Sequence, residues 1–213
     1  MKQLIKKIRI NTTLTVLTGL HIGGSSDNVE IGGLDNPVIK IATRENQPYI
    51  PGSSLKGKMR CLLEQVNGAA EVGDNEKVNN LFGFAKKNMP SKLIVRDAYL
   101  TQESVEALKK CSDTLDMPFT ENKYENTIDR VKGVAQHPRQ QERVPAGAEF
   151  DIEMIINVWD EDTQKDALLQ MVKDAIRLIE NDYLGGSGSR GYGQVKFGEL
   201  VITELSAANN WKA

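Results

Sequence analysis

The sequence predicts an α+β fold of the ferredoxin-like kind. Three observations predict it: four apolar runs with the two-residue period of half-buried strands, two long amphipathic helices, and the order strand–helix–strand–strand–helix–strand along the chain. With 213 residues, one domain carrying insertions is the expected organisation.

Ile8, Ile10, Thr12, Leu14 and Val16 alternate with polar neighbours and mark the first strand. Leu55, Met59, Leu62, Leu63 and Val66 then recur at helical spacing, with Ser53 or Ser54 as the expected N-cap. The stretch KLIVRDAYL (92–100) reads as a second strand, followed by a short helix over Ser104–Lys110. EFDIEMIINV (149–158) is the third strand, with Phe150, Ile152, Met154, Ile156 and Val158 on one face. Leu168, Leu169, Val172, Ala175, Ile176 and Ile179 place an amphipathic helix over about 163–184. The last strand, QVKFGELVITE (194–204), changes its apolar phase at Gly198, as a bulge would cause. About 21–50, 67–91 and 111–147 fall outside this core. Long insertions on a rigid scaffold are where binding and catalysis concentrate.

Composition narrows the function classes. The chain is 39% hydrophobic and 26% charged, ordinary for a soluble protein, and no apolar run approaches the ~20 residues of a membrane span. The N-terminal MKQLIKKIRINTT lacks the apolar segment of a signal peptide. Cys61 and Cys111 lie far apart in no metal-ligand spacing, so a reducing cytoplasm is expected. His21 and His137 are the only histidines, which leaves little material for a zinc site or a Ser-His-Asp triad. Net charge is −2, but it is segregated: residues 149–182 carry −7 and the remainder +5. A basic surface outside that segment could meet a polyanion; simple solvation of one strand and helix explains the count equally well.

The stretch YLGGSGSRGYGQVKFGEL contains G-x-G-x-x-G at Gly186–Gly191, the spacing of a dinucleotide-binding turn. That turn needs a strand before it and a helix after it, whereas here a helix leads in and a strand leads out. A dinucleotide enzyme is therefore excluded. RGYGQVKF (190–197) nearly matches an RRM signature, but Gln194 stands where a stacking aromatic belongs. What remains is a loop with five glycines in nine residues, which can bring backbone N–H groups near a phosphate, with Ser187, Arg190, Gly186 and Gly188 as candidate RNA contacts. A plain turn would need only one or two of those glycines.

Three further stretches carry chemistry. IPGSSLKGKMR (50–60) gathers Ser53, Ser54 and the first N–H groups of a helix beside Lys56 and Arg60, a good site for a phosphate backbone, though a capped and solvated helix looks the same. LTGLHIGG puts His21 where the chain leaves the first strand, free to face the same ligand. In IGGLDNPVIK, Asp35 precedes Asn-Pro; turn residue is the commoner role, and positioning a metal or a 2′-hydroxyl for phosphodiester cleavage is the functional one.

Taken together, GLHIGG, DNPVIK, IPGSSLKGKMR, LFG, ENTIDR with PRQQERV, and DYLGGSGSRGYGQV resemble the repeated backbone subunit of type III-A CRISPR (Csm) effector complexes, in the RAMP superfamily. The resemblance runs from about residue 8 to 204. It implies a modified RRM-like palm whose insertions form a catalytic loop (about 21–50), a helical lid (67–91) and a protruding thumb (within 111–147, on about 120–147). It implies as partners a guide RNA, a single-stranded target RNA, further copies stacked in a filament, and other Csm subunits, with no membrane. It implies target-RNA cleavage dependent on a divalent metal, Mg²⁺ or Mn²⁺, with Asp35 as catalytic residue and candidate metal ligand. Arg130, Arg139 and Arg143 fall on the implied thumb, and Lys56, Arg60, Ser187 and Arg190 on guide-binding elements. Two rival classes stay open: a guide-RNA scaffold that does not cut, and a RAMP endoribonuclease that processes precursor RNA, which would call on histidine for acid–base work.

Overall fold

The computed structural model describes residues 3–24, 36–111, 115, 117–162, 165–206 and 211. In chain order the elements begin with strand β1 (Leu4–Val16), the two-residue β2 (Lys40–Ile41), β3 (Gln47–Ile50), helix α1 (Gly52–Val66) and α2 (Glu76–Phe82). Strands β4 (Leu93–Val95) and β5 (Ala98–Leu100) precede α3 (Gln102–Lys110). A hairpin of β6 (Glu121–Ile128) and β7 (Ala135–Arg143) leads to β8 (Glu149–Trp159), α4 (Lys165–Glu180), β9 (Val195–Phe197) and β10 (Val201–Ser206).

One sheet runs β10-β1-β8-β5-β3-β2, with β4 also on β8 and β9 also on β1. Its pairings are antiparallel. The four strands expected from the sequence therefore lie in the spatial order fourth, first, third, second. The two-residue period explains how they share a core. Ile8, Ile10, Leu14 and Val16 of β1 and Phe150, Ile152, Met154, Ile156 and Val158 of β8 are buried together. Leu55 and Met59 of α1 and Val172, Ala175 and Ile179 of α4 close over them. Burial of this apolar surface is the main driving force for the fold.

Two of the four expected strands are broken, each by one extra residue. Four steps from Val95 to Tyr99 face three from Met154 to Asp151, so the β4–β5 strand bulges around Arg96–Asp97. Likewise, four steps from Phe197 to Val201 face three from Leu14 to Asn11, the bulge anticipated at Gly198. A Cβ at Gly198 would come within 2.7 Å of the Thr13 hydroxyl, so glycine suits the tight approach there.

Local differences from the sequence reading have simple causes. Helix α1 starts at Gly52 with Pro51 at the N-cap, and neither Ser53 nor Ser54 caps it. Helix α3 begins two residues before Ser104 because Thr101 accepts the Ser104 N–H at 3.2 Å. The helix expected over 163–184 ends at Glu180, ahead of the glycine-rich turn. The insertions also hold regular elements that periodicity did not reveal: β2 and β3 within 21–50, α2 within 67–91, and the β6–β7 hairpin within 111–147. That hairpin forms its own two-stranded sheet with mostly polar residues, so it has no apolar alternation to read. No described helix is long and apolar enough to cross a membrane.

Met59 is fully buried at the centre of α1. Met59→Ala should destabilise the chain by about 2–5 kcal/mol, since the cavity cannot fully collapse in a packed core. A urea titration should show a lower midpoint at unchanged slope.

Candidate nucleic-acid interface

Where β1 ends, residues 20–24 pair with two other segments. Leu20 exchanges backbone hydrogen bonds with Val144 at 2.9 and 2.8 Å. Gly24 N–H donates to Pro37 O at 3.0 Å and Ile39 N–H to Ile22 O at 2.9 Å. Asp35 lies outside the described residues; the described chain resumes at Asn36.

One side chain binds these segments together. Glu142, at the foot of β7, is fully buried. Its carboxylate accepts the Val38 N–H at 2.9 Å and the Thr120 hydroxyl at 2.6 Å, and Lys40 Nζ lies 2.5 Å away. Its N–H donates to Asn36 O at 3.2 Å, and its carbonyl lies 2.7 Å from His21 Nδ1. A carbonyl can only accept, so Nδ1 donates, and in the neutral ring Nε2 is the acceptor nitrogen. His21 is thereby oriented beside the segment that follows Asp35.

The glycine-rich loop packs on the same place. Gly186 N–H donates to His21 O at 2.8 Å, which corrects its expected role, because that N–H is not available to a phosphate. Two other glycines are required by close packing: a Cβ on Gly188 would lie 2.0 Å from the Tyr183 ring, and one on Gly193, whose φ is +70°, 2.0 Å from Leu184 O. Much of the glycine surplus thus serves packing rather than a phosphate cradle. At the loop tip Arg190 is exposed, and its Nη2 donates to Ser187 Oγ at 2.7 Å.

Helix α1 differs more from expectation. Its first N–H, on Gly52, donates at 2.8 Å to Asp97, which the β4–β5 bulge turns toward the helix. A carboxylate already occupies part of the place assigned to a phosphate. Lys56 Nζ donates to Ser91 Oγ and Leu93 O, both at 2.7 Å, and burial, then the Arg60 charge, pull its ammonium below the ordinary value. Arg60 donates to Glu64 at 2.9 Å, Gly83 O at 2.9 Å and Asn79 Oδ1 at 3.0 Å. These two cations tie α1 to the 79–93 segment instead of presenting a free pair to a ligand. Ser53 is exposed and Ser54 half-buried. The cation that α1 places beside the glycine-rich segment is Lys58, 3.7 Å over the Tyr183 ring and 2.7 Å from Asp182.

The hairpin supplies the densest charge. Arg143 Nε donates to Glu121 at 2.5 Å, and Arg139 Nη2 to Glu125 at 2.9 Å. Arg190 from the glycine-rich loop comes within 3.8 Å of Glu125, and Lys123 within 3.6 Å. The structure therefore brings Arg139, Arg143, Ser187 and Arg190 together. Arg130 is exposed in the turn at the other end of the hairpin, where Asp129 caps the Val131 and Lys132 N–H groups at 2.9 Å. Sequence reading missed Lys123, Glu125 and Tyr192. Tyr192, the first of two aromatics in the near-RRM signature, is buried and donates its hydroxyl to Glu125 at 2.7 Å, so it is no stacking platform.

Residues 13–196 match the RAMP superfamily. The chain is 43% identical over 210 residues to the CRISPR system Cms endoribonuclease Csm3 of Streptococcus thermophilus, covering 93% of this chain and 90% of that one. It is 42% identical over 208 residues to the protein of the same name from Methanothermobacter thermautotrophicus, covering 88% and 82%. The chain belongs to the RAMP superfamily, in its Csm3 branch. Among solved structures this RAMP protein is similar to a chain of the Csm3–Csm4 subcomplex of the type III-A CRISPR-Cas interference complex, with TM-score 0.62, 30% identity, and coverage of 97% and 83%. A chain of the type III-B Cmr-beta complex bound to cognate target RNA shares the fold at TM-score 0.65 and 18% identity, over 92% of this chain and 61% of that one.

The Glu125–Tyr192 contact makes stability depend on pH at both ends. The Tyr192 hydrogen bond first, then Arg139, Arg190 and Lys123, hold the Glu125 carboxyl below its ordinary 4.5, with burial opposing them. Burial first, then Glu125, push the Tyr192 hydroxyl up to about 12. Glu125 contributes stability above pH 4.5 that is lost as pH falls through its depressed folded value. Tyr192 contributes stability below pH 10 that is lost as pH rises toward about 12. Tyr192→Phe should reduce the alkaline loss, leaving the part that the raised Tyr49 hydroxyl contributes, and make the acid loss shallower in melting curves across pH. Wild-type slopes in both windows would disconnect the pair.

Proposed function

We propose that this chain is the repeated backbone subunit of a type III-A CRISPR effector complex in the cytoplasm, binding guide RNA as a filament of copies and cutting complementary target RNA at regular intervals. The observation that carries this reading is similarity along nearly the whole chain to Csm3 endoribonucleases. In this reading the main sheet with α1 and α4 is a ferredoxin-like, RRM-like palm. The β6–β7 hairpin is the thumb, and the α2 segment the lid. Both are insertions into a single domain.

RNA brings its own nucleophile. The 2′-hydroxyl beside the scissile phosphate attacks phosphorus, the bond to the 5′-oxygen breaks, and a proton passes from the first oxygen to solvent or a base and onto the second. The protein must splay the nucleotide into line and balance the growing charge. The thumb imposes the geometry, and Arg139, Arg143 and Arg190 face the backbone. Asp35 orients the reacting groups; an ordinary aspartate, with a pKa of about 3.9, is too weak a base to make proton removal its main task. Segment 36–40, pinned by Glu142, anchors the chain next to Asp35, and His21 Nε2 is the ring nitrogen that would meet RNA.

A divalent ion, Mg²⁺ or Mn²⁺, would supply charge to the phosphorane oxygens. Among the described residues no group of three His, Cys, Asp or Glu side chains could hold one, and the Glu142 carboxylate is occupied by Val38, Thr120 and Lys40. In this reading Asp35, with RNA oxygens and water, would hold the ion, since Mg²⁺ commonly binds through one carboxylate plus substrate phosphates.

In the guide-loaded assembly, Asp35→Ala should reduce cutting of a labelled complementary RNA by at least about a hundredfold, while target binding persists. Chelation should stop wild-type cutting, and Mg²⁺ or Mn²⁺ should restore it. Tight binding with no cuts in either protein would make the chain a guide-RNA scaffold; cutting of a lone repeat RNA would make it a precursor-processing enzyme.

A further inference from the structure

The hairpin and the glycine-rich loop are separate elements, yet their cations meet on one carboxylate. Glu125 accepts the Tyr192 hydroxyl at 2.7 Å and Arg139 Nη2 at 2.9 Å, with Lys123 Nζ at 3.6 Å and Arg190 Nη1 at 3.8 Å. Exposure separates the partners: the Glu125 side chain is 11% exposed, whereas Lys123, Arg139 and Arg190 are 37%, 40% and 50% exposed. The carboxylate lies beneath, and the cations turn their outer edges to solvent. Lys123 and Arg143 also lie over the Tyr192 ring, at 4.5 and 5.1 Å. Glu121 neutralises Arg143 separately, so the four cations exceed the two carboxylates. A carboxylate needed only to tie the hairpin to the loop would be satisfied by Tyr192 and Arg139.

We propose that Glu125 is a positioning residue, the partly buried floor of a cationic cradle in which Arg139 of the hairpin and Arg190 of the glycine-rich loop are aligned to share one RNA phosphate. The inference rests on the reading that these arginines face RNA. A guanidinium offers five N–H groups in a rigid fork, so a carboxylate on its inner edge fixes the plane while the outer edge stays open to phosphate. Tyr192 holds the carboxylate in turn. The cradle exists only while hairpin and loop are joined, which makes the spacing of the two arginines a property of the assembled fold.

The test uses the sign of an effect. Glu125→Gln removes a negative charge, and charge alone would strengthen RNA binding and steepen its salt dependence. The cradle requires the opposite. Binding of a labelled single-stranded RNA of mixed sequence to the full chain should weaken about tenfold, the equivalent of one charge-assisted hydrogen bond. The slope of log K against log salt should flatten by about 0.7 for each phosphate that is no longer neutralised. Tyr192→Phe, which leaves net charge unchanged, should move both quantities in the same direction and serves in place of Glu125→Gln if that variant does not fold. Equal or tighter binding by either folded variant would overturn the proposal. The Arg139→Ala, Arg190→Ala double variant separates the two levels: if it binds RNA like wild type, the reading of this face as an RNA interface fails and the cradle with it. If it binds weakly while both floor variants bind normally, only the cradle fails.

Discussion

A carboxylate with no exposure to solvent must be matched by donors, because an unpaired charge in a packed interior costs several kcal/mol. Glu142 meets that demand with a backbone N–H, a hydroxyl and an ammonium drawn from three different positions along the chain, while its own peptide group engages Asn36 and His21. Burying the charge therefore obliges segment 36–40 and the foot of the hairpin to converge, and the backbone carbonyl of the same residue meets His21 at the end of β1. The hairpin's root, the ring of His21 and the chain next to Asp35 all take their positions from this one residue.

The same logic decides which cations serve the fold and which face outward. Lys56 and Arg60 are enclosed by Ser91, Leu93, Glu64, Asn79 and Gly83, and hold α1 to its neighbouring segment. Arg139 and Arg190 meet Glu125, Arg190 also donating to Ser187, yet both side chains stay largely exposed. With a net charge of −2, the chain has no overall charge excess to attract a polyanion; in the proposed reading, local concentration of cations at the junction of hairpin and loop takes its place.

The core was readable because strand and helix periods are written in apolar side chains, and even the Gly198 bulge showed as a shift of phase. The hairpin was not, because both its strands are polar and stand off the core. Asp97 as the partner of α1 was hidden by a separation of 45 residues, and the two serines beside the helix start offered a nearer explanation. The pairing of Arg60 with Glu64 was visible as an i, i+4 contact, although its bonds to Asn79 and Gly83 needed the fold. Among the candidate site residues, the sequence singled out Arg139, Arg143 and Arg190, but not the glutamate on which two of them meet. Asp35 lies outside the described residues, so its assignment rests on the resemblance and on what is joined to it.

The central claim is that Glu142 holds the candidate site together. Native-state amide exchange on the full chain, comparing wild type with Glu142→Ala, tests it most directly. Loss of the carboxylate strands the Val38 N–H and the Thr120 hydroxyl, a cost on the order of 3 kcal/mol. Protection at Leu20, Gly24, Val38, Ile39 and Val144 should fall by about a hundredfold, while amides of the β1–β8 ladder change far less. Protection that is unchanged at those five positions, or lost equally across the whole sheet, would show that the site does not depend on this residue.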